Sequence, residues 1–354
     1  MLYSKLGSTG LVVSRLALGT MTFGAGGGNQ AIARTRESDA NELVARAFDA
    51  GINFIDTADI YSGGESEEML GRAIAGRRDE VVIATKAGWR TGESLNRSGL
   101  SASHLHWSID QSLRRLATDY VDIYIAHRDD AHTPMLETLK ALDDIVRAGK
   151  ARYLGVSNWA PWKISAAIEL QRANGWAQFT HIQSMYSLLG RDVEHQIQPL
   201  ARHYGLGFTA WSPLAGGFLS GKYTRENLSD PNNRLSGFDA LPIDKEKGFV
   251  LVEDMREIAD RHNSSVAQVA LAWLLSRTEV SSVLIGASKM SQLNDNLAVT
   301  DLELTAEEIV QLDEATKTVP DWTVGVSLVP DTPIVEALKA KPGERPVLKA
   351  ESVV

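Results

Sequence analysis

Short apolar, β-branched runs recur along the chain, each followed by a longer stretch whose apolar residues fall at three- and four-residue steps. The runs are Ser14 to Leu18, Asn53 to Asp56, Val81 to Lys86, Val121 to Ala126, Ala151 to Val156, Thr180 to Gln183, Gly207 to Trp211 and Val283 to Gly286. Between them, Ser38 to Ala50 places Leu43, Val44, Ala47 and Phe48 on one helical face and stops at Gly51, while Glu65 to Ala75 stops at Gly76. Ser101 to Ala117 carries Leu105, Ile109, Leu113 and Leu116 at helical steps, and Pro134 opens a helix over Met135 to Ala148 that Gly149 ends. Strand then helix, repeated, makes consecutive strands parallel, because each helix carries the chain back before the next strand begins. Eight strands close a parallel barrel, so the predicted fold is α/β, a (β/α)8 TIM barrel.

The gap between the seventh and eighth runs is roughly seventy residues, against about thirty to forty for the other units. Residues 215–244 are rich in Gly, Ser, Asn, Asp and Pro and are expected to form a surface-loop insertion that acts as a lid. Periodicity fades after Pro320. The expected organisation is one barrel domain over 1–320 and a C-terminal extension over 321–354.

Composition narrows the chemistry. The 354 residues hold no cysteine, which excludes a disulfide scaffold, a thiol nucleophile, Cys-ligated metal and a dithiol redox motif. Thirty-six basic against forty-five acidic residues give a net charge of −9, so neither nucleic acid nor an anionic membrane is an expected partner. Residues 1–7 carry no secretory pattern and no run approaches about 18 apolar residues, so a cytoplasmic location is expected. A monomer or weak homo-oligomer is the default for such a barrel.

Loops that follow parallel barrel strands share one face, and polar residues at strand ends converge there. Asp56, Lys86 and His127 stand at the ends of three strands, and Tyr61 lies in the loop after Asp56. Taken singly, Asp56 and Lys86 read as a structural ion pair, Tyr61 as a loop aromatic and His127 as a core histidine. Together they suit carbonyl reduction: an ammonium beside a phenol lowers its pKa, a carboxylate keeps the ammonium charged, and an imidazole donates to the carbonyl oxygen. Strand ends carry no cluster of His, Asp and Glu, so no metal site is expected.

These residues belong to a longer series: Gly19-Thr20-Met21, Asp56-Thr57-Ala58-Asp59-Ile60-Tyr61, Lys86, His127-Arg128-Asp129-Asp130, Gly155-Val156-Ser157-Asn158, Gln183, Trp211-Ser212-Pro213-Leu214 and Ile285-Gly286-Ala287-Ser288. As a set it resembles the aldo-keto reductase family, from about Leu2 to Pro320. The resemblance implies that Asp56, Tyr61, Lys86 and His127 form a catalytic tetrad with Tyr61 as general acid/base. It implies a small-molecule carbonyl or alcohol substrate and NADPH/NADP+ as cofactor. NADH use stays open, since Lys289 is the one cation seen near the expected ribose site.

The family binds this cofactor without a Gly-rich Rossmann turn, and Gly24-Ala25-Gly26-Gly27-Gly28 lacks the context of one. By resemblance, Gly19, Thr20, Met21 and Asp56 border the cofactor; Ser157, Asn158 and Gln183 hold the carboxamide; and Trp211 stacks on the nicotinamide. Ser212, Pro213, Leu214 and Gly216 approach the pyrophosphate, with Lys222 and Arg234 closing over it. Gly286 and Ser288 meet phosphate at a helix start, and Gln292, Asp295 and Asn296 face the adenosine. Trp89, Arg128 and Trp159 are expected to line the substrate pocket. The alternative is a cofactor-binding interaction subunit like the potassium-channel β subunits, which have Asn at the position of His127; the histidine favours an enzyme.

Overall fold

In a computed structural model of the chain, the structure describes residues 1–24, 32–228, 230, 233–237, 239, 241–320 and 322. A hairpin of β1 (Tyr3–Lys5) and β2 (Val12–Ser14) precedes eight further strands: β3 (Leu16–Gly19), β4 (Phe54–Asp56), β5 (Val82–Ala87), β6 (Val121–Ala126), β7 (Ala151–Ser157), β8 (Phe179–Met185), β9 (Gly207–Trp211) and β10 (Ser282–Gly286). These eight pair in parallel and close as β10-β3-β4-β5-β6-β7-β8-β9, the predicted (β/α)8 barrel. The helices are α1 (Glu37–Asp49), α2 (Glu65–Ala73), α3 (Ala102–Leu116), α4 (Met135–Arg147), α5 (Pro161–Ala173), α6 (Ile197–Tyr204), α7 (Arg234–Gly237), α8 (Lys245–Arg261), α9 (Val266–Leu275), α10 (Met290–Leu297) and α11 (Ala306–Ala315). No helix of the described residues is long and apolar enough to cross a membrane.

The first predicted run, Ser14 to Leu18, is two strands. Arg15 separates them and donates from Nη2 to the Leu275 carbonyl at 2.8 Å. The hairpin plugs the barrel floor. Its Leu6 and Val13 join Ala17, Phe54, Val82, Ala84, Ile123, Ile125 and Leu284 in one buried cluster inside the barrel, apart from the larger shell between strands and helices. A side chain at Gly207 would begin 2.7 Å from Leu6 Cδ1 and 2.9 Å from the Gly7 nitrogen, so only glycine lets the plug seat.

The long seventh-to-eighth gap differs from its prediction. Residues 215–220 form a turn in which Ala215, Gly216, Phe218 and Leu219 are buried, with the Phe218 ring 5.0 Å from that of Phe249, so the insertion opens as packed structure rather than surface loop. The gap also holds α8 and α9, and α9 is apolar on nearly every face because it is buried at eight positions. Trp322 is exposed, and residues 321 and 323–354 of the expected extension lie outside the described residues.

Leu6→Ala should cost about 2–5 kcal/mol, the usual range for opening a cavity in a core. Urea unfolding of both proteins measures it, and a loss below about 1 kcal/mol would show that the plug does not seal the barrel.

Candidate active site

The strand register sets the site. Asp56, at the end of β4, pairs with Gly19 on one side and Ala84 on the other, and Lys86 lies two residues beyond Ala84 on the same inward face. Lys86 Nζ donates to Asp56 Oδ1 at 2.5 Å, to the Thr57 carbonyl at 2.7 Å and to Tyr61 Oη at 3.2 Å. Asp56 Oδ2 accepts from Gln183 Nε2 at 2.8 Å. His127, the residue after β6, extends that strand's ladder through its N–H to the Ala87 carbonyl (2.8 Å) and sets its ring edge-on to Tyr61, with centroids 5.9 Å apart. Ser62, held at φ +50°, donates to the Phe23 carbonyl at 2.7 Å and so ties the loop carrying Tyr61 to the loop after β3.

Protonation states follow from these neighbours. Burial raises the pKa of the Tyr61 phenol, and the attraction of Lys86 opposes this without cancelling it. The sequence expectation that the ammonium lowers this pKa therefore does not hold as a net effect. The phenol stays protonated, ready to donate. Burial alone would lower Lys86, but Asp56 and Tyr61 outweigh it and hold the ammonium charged. Burial, then Lys86 and Arg128, push His127 well below its ordinary value, so the ring is neutral; its buried Nδ1 has no partner among the described residues. Beneath Lys86, His181 bonds Thr209 Oγ1 at 2.6 Å and is pushed to about 3 by burial and by Lys86.

On the β7–β10 side, Ser157, Asn158, Gln183 and Trp211 stand together at strand ends. Asn158, at φ +58°, donates to the His127 carbonyl at 3.1 Å and to Ser157 Oγ at 2.8 Å, and accepts from Trp211 Nε1 at 3.2 Å. Both its amide hydrogens are thus engaged by neighbours while Oδ1 keeps one acceptor site, and the Ser157 hydroxyl proton and Gln183 Oε1 have no partner among the described residues. Ser212 Oγ accepts from the Gly216 N–H at 2.9 Å, folding the turn through Pro213 and Leu214, and Gly216 is buried. Gly286 has open space where a side chain would begin, and Gln292 Oε1 accepts from the Ser288 N–H at 2.9 Å.

Beside them, burial and the neighbouring Arg234, Arg34 and Lys289 lower the pKa of Lys222. Among the described residues Arg234 Nε is buried without a partner, and Lys222, Arg234 and Lys289 form no salt bridge. Uncompensated cations crowded together fit a polyanion such as a dinucleotide.

Several predicted positions are engaged by the protein's own groups. Thr20 is fully buried and shares a hydrogen bond with Ser66 Oγ at 2.8 Å, so its side chain braces the loop; Met21 is half-buried beside it. Asp295 accepts from Ser265 Oγ at 3.0 Å and Gln268 Nε2 at 2.7 Å, which turns it to the start of α9, and Asn296 is buried against the Gly286 carbonyl. Trp159 is a correction: its ring packs edge-on to Phe179 in the outer core, with centroids 5.9 Å apart, instead of lining the mouth. Trp89 and Arg128 do sit at the mouth, with Trp89 edge-on to His127. Residues 25–28 of the glycine run lie outside the described residues.

A model of the Aldo/keto reductase family matches residues 15–317. A probable voltage-gated potassium channel subunit beta of Oryza sativa is 37% identical over 89% of this chain and 96% of its own length. Versiconal hemiacetal acetate reductase of Aspergillus parasiticus is 33% identical over 88% and 96%, and an uncharacterized oxidoreductase of Bacillus subtilis 35% over 88% and 95%.

Two further groups border the site, Arg34 from outside the motif series and Asp59 from within it, neither of them assigned a role from the sequence. Arg34 joins the cation cluster from the loop before α1. Asp59, 1% exposed, accepts from Ser108 Oγ at 2.6 Å, while its Oδ1 has no partner among the described residues. Burial raises its pKa from 3.8 to about 7. The folded chain therefore keeps a proton there that the unfolded chain releases near pH 4. That stabilising contribution is full below about pH 4 and is lost as pH rises through about 7. Asp59→Asn, neutral at every pH, should gain stability relative to wild type between pH 4.5 and 8, as read by urea unfolding at both ends; an unchanged difference would mean that Asp59 does not titrate there.

Proposed function

The chain belongs to the aldo/keto reductase family, and from that premise we propose that it interconverts aldehydes or ketones and the corresponding alcohols with NADPH/NADP+. The observation that carries this reading is one ammonium, Lys86, bonded to both Asp56 and Tyr61 beside a neutral His127. The bound nicotinamide supplies a hydride to the carbonyl carbon. Tyr61 gives its phenolic proton to the carbonyl oxygen. Lys86 stabilises the phenolate left behind, and Asp56 keeps that ammonium charged and aimed. His127 donates an N–H to the same oxygen and offsets the negative charge that develops there. In the oxidising direction the Tyr61 phenolate takes the alcohol proton.

Ser157 and Gln183 would hold the carboxamide, Trp211 would cover one face of the nicotinamide ring, and the Lys222–Arg234 cluster would meet the phosphates. Arg34 and Lys289 beside them favour NADPH over NADH, because the extra phosphate answers more of that charge.

A second reading is a cofactor-binding interaction subunit, in keeping with the likeness to the rice relative. It needs the cofactor residues but not the proton donor, and a neutral imidazole kept beside the phenol favours catalysis.

Tyr61→Phe should slow carbonyl reduction about 10²–10⁴-fold, followed by cofactor absorbance, while NADPH still quenches tryptophan fluorescence. Near-normal turnover would remove the phenol from the reaction. Cofactor binding by wild type with no turnover across an aldehyde and ketone panel would favour the interaction subunit. Lys86→Met is less informative, since stranding Asp56 costs about 3–5 kcal/mol of stability.

A further inference from the structure

Arg128 follows His127 at the mouth and, beyond helping to keep that imidazole neutral, has no part in the mechanism above. Its guanidinium carbon lies 4.3 Å from the centroid of the Trp89 ring, and Trp89 in turn sets its edge to His127 with centroids 6.2 Å apart. Arg128, Trp89, His127 and Tyr61 thus form a continuous row across the rim. Stacking on indole holds a guanidinium in place while leaving the edge that carries its N–H groups uncovered. The one hydrogen bond Arg128 makes among the described residues is long, from Nε to the Asp129 carbonyl at 3.4 Å, so both terminal nitrogens lack a protein acceptor there.

The nearby carboxylates are already engaged. Asp129 pairs with Lys163 at 2.6 Å. Asp130 accepts from the Leu100 and His132 N–H groups and from Thr133 Oγ1. The loop over residues 88–99 adds Arg90, which donates to the Gly92 and Ser94 carbonyls, and Arg97, stacked on Trp107, against one acid, Glu93. In a chain of net charge −9 this side of the rim is cationic.

From this juxtaposition we propose that the site selects carbonyl compounds that carry a carboxylate, held by the free fork of Arg128 while the carbonyl oxygen meets Tyr61 and His127. The inference rests on the carbonyl-reductase reading and names its substrate class. The product is the corresponding hydroxy acid, formed by one hydride to carbon and one proton from Tyr61 to oxygen. Arg128 is then a specificity-determining residue: a paired fork-to-carboxylate contact adds affinity that a neutral analogue cannot reach.

The test compares ω-oxo acids of four to six carbons with their methyl esters, in wild type, Arg128→Met and Arg128→Lys. Wild type should favour the acids in kcat/KM by about tenfold or more, the scale of one charge-assisted contact. In Arg128→Met the acid-to-ester ratio should collapse towards unity through KM, and Arg128→Lys should restore only part of it. Equal use of acids and esters by wild type would overturn the proposal. So would a parallel fall for both in Arg128→Met, which would mean that Arg128 merely braces Trp89 and His127. Calorimetric titration with butanoate, which has no carbonyl to reduce, separates the two failures. Saturable binding that Arg128→Met abolishes would uphold the anion site even if no carbonyl turned over, whereas its absence would sink the anion site whatever the turnover.

Discussion

A fully buried ammonium is the constraint around which the barrel mouth is arranged. Lys86 has no exposed surface and Asp56 almost none, and removing two such charges from water costs several kcal/mol for each ion. The fold meets that cost by satisfying every proton. An ammonium has three donors, and here three acceptors face it: a carboxylate, a main-chain carbonyl and the Tyr61 phenol. Gln183, reaching across the barrel from β8, fills the second oxygen of the carboxylate. Because the Tyr61 oxygen accepts from Lys86, its own hydrogen is directed away from the pair. An interaction forced by desolvation thereby also orients a proton donor.

The same charge orders its surroundings at longer range. Burial, reinforced by Lys86 and Arg128, keeps His127 neutral, so it can donate one N–H without carrying charge into the pocket. Below, burial and then Lys86 keep His181 neutral, so it adds no second cation under the pair. Gly155 makes room for that floor: a side chain there would begin 2.9 Å from both His181 Nδ1 and Ile125 Cγ1. The electrostatic balance among Asp56, Lys86 and Tyr61 is in this way shielded from the titration of the two histidines nearest to it.

Much of this was legible in the sequence because parallel strands buried on both faces read as unbroken apolar runs, and because polar residues at their ends cannot be explained by packing. The hairpin escaped because strands of three residues carry no period; only the Gly7–Gly10 turn composition marks it. Trp159 was misplaced because strand position does not fix direction once the chain turns, and Asn158 at φ +58° turns it into the outer core. Asp295 shares a helix with Gln292, but spacing along a helix does not say how the helix is rotated, and α10 turns this acid to α9. The place of Arg34, and the buried, proton-retaining state of Asp59 within its motif, depend on neighbours distant in sequence.

The two cationic regions of the mouth have different physical origins, and the difference separates their roles. Lys222, Arg234, Arg34 and Lys289 come from loops on the β3, β9 and β10 side, and burial, followed by the other three cations, lowers the proton affinity of Lys222. Lys222, Arg234 and Lys289 form no salt bridge among the described residues, and like charges held close favour an anion that answers them together. Arg128, by contrast, is stabilised where it is by the Trp89 ring and needs no anion to stay there. A site built of crowded cations depends on its ligand for stability, whereas a stacked guanidinium waits preorganised. The first arrangement suits a ligand with several phosphates and the second a single carboxylate, so one barrel mouth can hold both without their competing for the same charge.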